Sequence, residues 1–145
     1  MKNYYPYQKR NATKNYFPLP NEIFDLELSA GEIAVYSFLM RCENRKTYQC
    51  YPSYRTIGRA INASRNTVRK YIEGLCEKRL ITSEPTTIIT QLGTKRNGSL
   101  RYTIRPIEDA VRYNYEMQIK RNDETLQRQR FLGDLNDEKI LQEKA

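Results

Sequence analysis

Between Ser53 and Ile72 two short runs of helical periodicity follow each other with room only for a tight turn between them, and no other stretch constrains the fold as strongly. Ile57 and Ile61 lie four apart on the first run, and Val68, Ile72 and Leu75 recur at i, i+4 and i+7 on the second, so each presents one apolar stripe. Gly58 permits close approach of the two helices. Ser64 is a suitable N-cap for the second, and Asn62 occupies the turn, where a left-handed backbone is needed and asparagine tolerates it better than most residues. The pattern predicts a helix-turn-helix.

The opposite face of the second helix carries Asn66, Arg69, Lys70 and Glu73, with Arg65 near its start and Ser64 and Thr67 at its capped amino end. These positions form one solvent-facing strip. A helix of this kind fits the major groove of DNA, where Arg donates twice to guanine and Asn pairs with the edge of adenine. On the preceding helix Tyr54, Arg55 and Arg59 are candidates for positioning on the phosphate backbone. The plain alternative is a basic solvated face, with Arg69 paired to Glu73 one turn away.

Charge distribution decides between these readings. The chain of 145 residues has a net charge of +8, and residues 51–105 alone carry +8. Residues 1–20 add +4, whereas 21–50 and 106–145 each carry −2. The excess therefore sits on the predicted motif and on the amino-terminal stretch, as a polyanion-binding surface requires. A protein-interaction module without nucleic-acid binding is the reading this charge disfavours. Catalysis is not expected: there is no histidine, the three cysteines form no C-x-x-C pair, and none of the twelve tyrosines has an evident base or metal beside it. No cofactor, metal or small-molecule effector is expected. The absence of a signal-like or membrane-spanning apolar run makes the cytoplasm the expected compartment.

Around the motif, residues 1–16 mix tyrosines with Lys2, Lys9, Arg10 and Lys14 and show no period, which predicts either a solvated tail or a basic arm along DNA. Phe17 to Phe24 is proline-punctuated, with Ile23 or Phe24 as an anchor. Ser29-Ala30-Gly31-Glu32 has the form of a capping box, so a mostly buried helix starts there and runs to about Cys42, and 43–51 is expected to be a loop. After Lys78 and Arg79 the period changes to two. Residues 81–89 read as a strand disturbed by Pro85, and Leu100, Tyr102 and Ile104 alternate on a second strand. Between them lies Gln91 to Ser99, where the Asn97-Gly98 pair is a strong hairpin-turn signal; this predicts a two-stranded antiparallel ribbon with Lys95, Arg96 and Asn97 as a basic tip for the minor groove or its phosphates.

Pro106 opens a further helix on which Ile107, Val111, Tyr115 and Ile119 step by four. That stripe predicts docking on the parent domain or a homodimer. From Lys120 onward the polar, mixed-charge composition predicts fraying or disorder, with Gly133 as a break and a weak final helix from Asp137 to Lys144. The predicted architecture is mainly α with a small antiparallel β-hairpin: a winged helix-turn-helix with an added C-terminal helix. Its parts are an arm at 1–16, the winged domain at 17–105, the helix at 106–131 and a polar tail at 132–145.

The segment from Asn62 to Ile72, with Leu75 and Lys78-Arg79-Leu80-Ile81, resembles the winged helix-turn-helix proteins of bacterial regulators and mobile elements. Tyr16-Phe17-Pro18-Leu19-Pro20, with Ile23-Phe24, Leu28-Ser29 and Tyr51-Pro52-Ser53, is similar to the amino-terminal DNA-binding domains of plasmid replication initiators and related phage or conjugative-element proteins. The likeness spans roughly residues 16–105, without the large second domain of full-length initiators. It implies double-stranded DNA as partner, with a role in transcriptional regulation or, alternatively, as an accessory to replication initiation or a mobile element.

Overall fold

A computed structural model describes residues 14–145, so the expectation for the arm falls almost wholly outside the described residues. Pro18 and Pro20 lead into a 3-10 turn, Asn21–Phe24, whose fully buried Ile23 anchors the segment while Phe24 faces solvent. Helix α1, Ala30–Cys42, begins with the expected capping box. The Ser29 hydroxyl accepts from the Glu32 N–H, and the Glu32 carboxylate accepts from the Ser29 N–H, so two of the helix's otherwise unpaired donors are satisfied. Val35, Tyr36 and Leu39 turn inward, and burial pushes the Tyr36 phenol up to about 12.

Helices α2, Tyr54–Ile61, and α3, Arg65–Glu77, form the helix-turn-helix. Ser53 and Ser64 cap them through hydrogen bonds from the backbone N–H groups of Thr56 and Thr67. Asn62 takes the left-handed conformation at φ 57°, ψ 50°, and the Ala63 N–H returns to the Gly58 carbonyl. Ile57 with Val68, Ile72 and Leu75 closes the core between these helices and α1.

Strand β1, Gln49–Cys50, lies within the stretch expected to be a loop. It is a two-residue edge strand, too short for a period to register, and it is held by tertiary pairing. Together with β2, Ile81–Glu84, it flanks β5, Arg101–Ile104, in an antiparallel sheet of order β1-β5-β2. Gln49 faces Thr103 and Ile81 faces Ile104, which turns Cys50, Tyr102 and Ile81 into the core. The Cys50 thiol lies against the Leu39 carbonyl, and burial pushes it up to about 12.

The wing departs from the sequence expectation in two ways. Pro85 divides the single predicted strand into β2 and a separate β3, Thr87–Ile89, because it has no N–H to continue the ladder. Strand β4, Lys95–Asn97, pairs with β3 so that Thr87 faces Asn97 and Ile89 faces Lys95. The turn is therefore at Gln91-Leu92-Gly93, with Gly93 at φ +75°, and Asn97 lies in a strand. Gly98 serves closure of the ribbon instead: its N–H donates to the Thr86 carbonyl at 2.7 Å, and a Cβ there would meet the Thr86 hydroxyl oxygen at 2.5 Å.

Helix α4, Ile107–Glu143, follows Pro106 and continues through Gly133 without interruption. Gly133 stands in open solvent, and a glycine there costs only about 1 kcal/mol relative to alanine, too little to end a helix already propagating. The expected division at 131 between helix and polar tail is accordingly absent. Ile107 and Ala110 pack on the core, Arg79 lies 5.0 Å over the Tyr113 ring, and Arg121 pairs with Glu27 at 2.8 Å. From residue 118 onward every side chain is exposed. No helix among the described residues is long and apolar enough to cross a membrane.

Candidate nucleic-acid interface

The amino end of α3 is where most of the sequence-predicted site residues meet. Ser64 and Thr67 share a hydroxyl hydrogen bond of 2.9 Å, which holds the cap rigid while the first-turn N–H groups of the helix point outward. Beside this end lies a shallow groove lined by Tyr54, Arg55, Gly58, Arg59, Asn62, Ala63, Ser64 and Arg65, so both arginines of α2 and the first arginine of α3 border one depression. One turn further along α3, Asn66, Arg69, Lys70 and Glu73 line a second. Arg55, Arg59, Arg65, Asn66, Arg69 and Lys70 are all exposed.

Two members of the set are tied to protein partners. The Arg69 Nε donates to Glu73 at 2.9 Å, and this bond followed by the charge attraction raises the pKa of a group that is always protonated. Tyr54 is half-buried against the core. Burial raises its pKa, Arg69 lowers it, and Glu73 and Cys76 add to the rise, which places this phenol electrostatically between α2 and α3. Its packing against the core was hidden in the sequence, where it reads as a candidate for positioning on the phosphate backbone.

Lys95, Arg96 and Asn97 are exposed on β4, along the side of the ribbon rather than at its tip. The tip itself is Leu92, which falls within the connection expected at 91–99 but carries no turn signal of its own beside Asn97-Gly98. At the base of the wing Arg101 and Glu84 form an ion pair across the β5–β2 register. Among the described residues no group of histidine, cysteine, aspartate and glutamate is arranged to hold a metal.

Comparison with known proteins adds a family match. Residues 26–81 match the model of a helix-turn-helix domain family, from the end of the anchoring turn through α3 to the first residue of β2. No curated protein sequence matches the chain. Among solved structures, a possible transcriptional regulator from Methanosarcina mazei Go1 superposes with a TM-score of 0.47 at 13% identity, over 79% of this chain and 98% of that one. The adhesin competence repressor from Streptococcus pyogenes superposes with a TM-score of 0.41 at 11% identity, over 75% and 72%. The family match and the capped α2–α3 geometry agree: residues 26–81 form a helix-turn-helix domain, and the surrounding fold is a winged helix with an added C-terminal helix.

Proposed function

We propose that this protein is a sequence-preferring double-stranded DNA-binding regulator of transcription that acts without catalysis. The observation that carries the reading is the convergence of Arg55, Arg59, Arg65 and the capped end of α3 on one exposed groove, continued by Asn66, Arg69 and Lys70. Helix α3 enters the major groove with Arg65, Asn66, Arg69 and Lys70 toward base edges, while Ser64, Thr67 and the first-turn N–H groups meet phosphate. Tyr54, Arg55 and Arg59 set the register on the backbone. Lys95, Arg96 and Asn97 contact the adjacent minor groove or its phosphates. In the alternative reading the same interface serves an accessory to replication initiation or a mobile element; in either role the expected compartment is the cytoplasm.

The exposed face of α4 adds a homodimer to this reading. Val111 and Tyr115 remain open to solvent, Tyr115 at 64%, with Ile119 in line with them, whereas Ile107 is spent on docking and leaves the predicted stripe.

Duplex binding measured by fluorescence anisotropy tests the proposal. Affinity is expected to fall steeply with salt, with a log-log slope of about 0.9 per phosphate neutralised. In the Lys95→Ala/Arg96→Ala variant all duplexes are expected to weaken alike and the slope to drop by about 1–2. Absence of duplex binding at low salt would overturn the reading, and an unchanged slope in the double variant would remove the wing from the interface.

A further inference from the structure

The wing ends in an aliphatic tip that no described residue covers. The Gly93 N–H donates to the Thr90 carbonyl at 2.8 Å and the Thr90 N–H to the Thr94 carbonyl at 2.9 Å, so Gln91 and Leu92 are the two central residues of a tight turn. Such positions favour Asn, Asp, Ser or Gly, whose side chains or backbone freedom serve the turn itself. Here the apex is a leucine with 93% of its surface exposed. Ile89 and Ile88, just below it on β3, are 70% and 55% exposed.

The register distributes these residues beside positive charge. Ile89 faces Lys95 and Ile88 faces Arg96, so each face of the ribbon carries one aliphatic and one cationic side chain. Between Pro85 and Leu100 there is no acidic residue. All three residues of β3 and all three of β4 are exposed, and a two-stranded ribbon without a packed face is only marginally stable in water. The partner that matches these features has negative rails a short distance apart and an apolar interior between them. The minor groove of a DNA duplex has both: phosphates on its rims and stacked base faces that open when a step is unstacked.

We infer that Leu92, supported by Ile89, is a wedge that enters the minor groove, partly unstacks one base step and bends the DNA, while Lys95 and Arg96 hold the flanking phosphates. This rests on the proposed duplex-binding reading and adds to it a deformation that the recognition helix does not supply. Side chains of this class, inserted between base pairs, kink duplexes by about 20–90° toward the major groove. The cost of unstacking depends on the step and is least at TA and CA/TG. The wing thereby selects sequence at a position where no base edge is read: bound sites carry a flexible pyrimidine–purine step beneath it.

The experiment uses the full chain and duplexes it recovers from a randomised pool. Donor and acceptor dyes on the two ends report the bend, and 2-aminopurine placed along the site reports unstacking. With the wild-type chain the dyes draw together and one step lights up. Leu92→Ser straightens the duplex, quenches that signal and weakens binding roughly tenfold at unchanged salt slope, whereas Leu92→Met retains the bend. Thermal melting of the two variants matches the wild type because the site touches no core. A Leu92→Ser complex as bent as the wild type overturns the wedge. So does a straight wild-type complex, even where Lys95→Ala/Arg96→Ala lowers the salt slope and the wing contact itself stands. Failure to recover any duplex overturns the underlying reading instead.

Discussion

At Gly58 a single hydrogen atom sets how closely two helices meet. A Cβ there would stand 2.5 Å from the Ala63 carbonyl oxygen, a backbone atom that cannot swing aside. Replacement by alanine raises helix propensity by about 1 kcal/mol, yet the clash forces the turn open at a cost typical of overpacking, about 1–3 kcal/mol or more. Gly58→Ala is therefore expected to lower the unfolding free energy in urea, and a stabilised variant would show that the turn relaxes freely. Gly58 and Asn62 were legible in the sequence because both requirements are local: a missing Cβ and a left-handed φ. The position of the wing turn was not. Asn97-Gly98 carries the stronger local turn signal, but its glycine is consumed by the close contact with Thr86, and that contact exists only once β3 and β4 are paired.

Among elements, the junction of α1 with α3 is decided by one carboxylate with two tasks. Glu32 completes the capping box of α1 and also receives Lys78, from the end of α3, at 2.8 Å. Gly74 admits this approach, since a Cβ there would lie 2.3 Å from the Glu32 Oε2. Burial raises the Glu32 pKa, but the hydrogen bonds from Lys78 and Ser29 and the attraction of Lys78 together outweigh it and hold the group below its ordinary value. A depressed folded-state pKa stabilises the fold above the unfolded value and loses that contribution as pH falls through the folded one, so the wild-type chain is expected to lose stability below about pH 4.5. In Lys78→Met the burial remains and the principal counter-charge is gone. The variant is expected to lose about 1–3 kcal/mol near neutral pH and distinctly less in acid, where Glu32 is protonated. Thermal melting across pH checks this, and an equal loss at both ends would remove the pair from the pH dependence. The capping box was readable from four consecutive residues, whereas its second partner lies 46 positions away and no spacing rule reaches it.

For the whole molecule, α4 is the open question that the fold poses. Its first four turns dock through Ile107, Ala110, Tyr113 and Met117, and the remainder, from residue 122 to 143, extends about 33 Å at 1.5 Å per residue with every side chain exposed. A helix of that length without a partner is only marginally stable in water. Proposed dimerisation through Val111, Tyr115 and Ile119 covers the free face of the docked turns and leaves residues 122–143 exposed. Sedimentation is expected to give twice the chain mass for the wild type and a shift to monomer for Tyr115→Glu, which touches no core residue. A wild-type monomer at working concentration would exclude the dimer. A two-fold assembly would also present two recognition helices, and palindromic sites in the randomised pool would be its signature on DNA.

What the sequence by itself determined are the features written in short-range chemistry: three capped helices, the left-handed Asn62 and the inward alternation of Tyr102 and Ile104, together with a positive charge concentrated in residues 51–105. These depend on residues within a turn or two of each other, where backbone sterics, capping and periodicity act directly. Only the tertiary structure decided the two-residue strand β1, the division of the wing at Pro85, the face on which α4 docks and the role of Leu92 as the tip. Each of those depends on which distant backbone supplies a hydrogen bond or a surface. For the aliphatic wing the sequence shows two isoleucines followed closely by a leucine, and the structure shows that nothing in the described fold covers them.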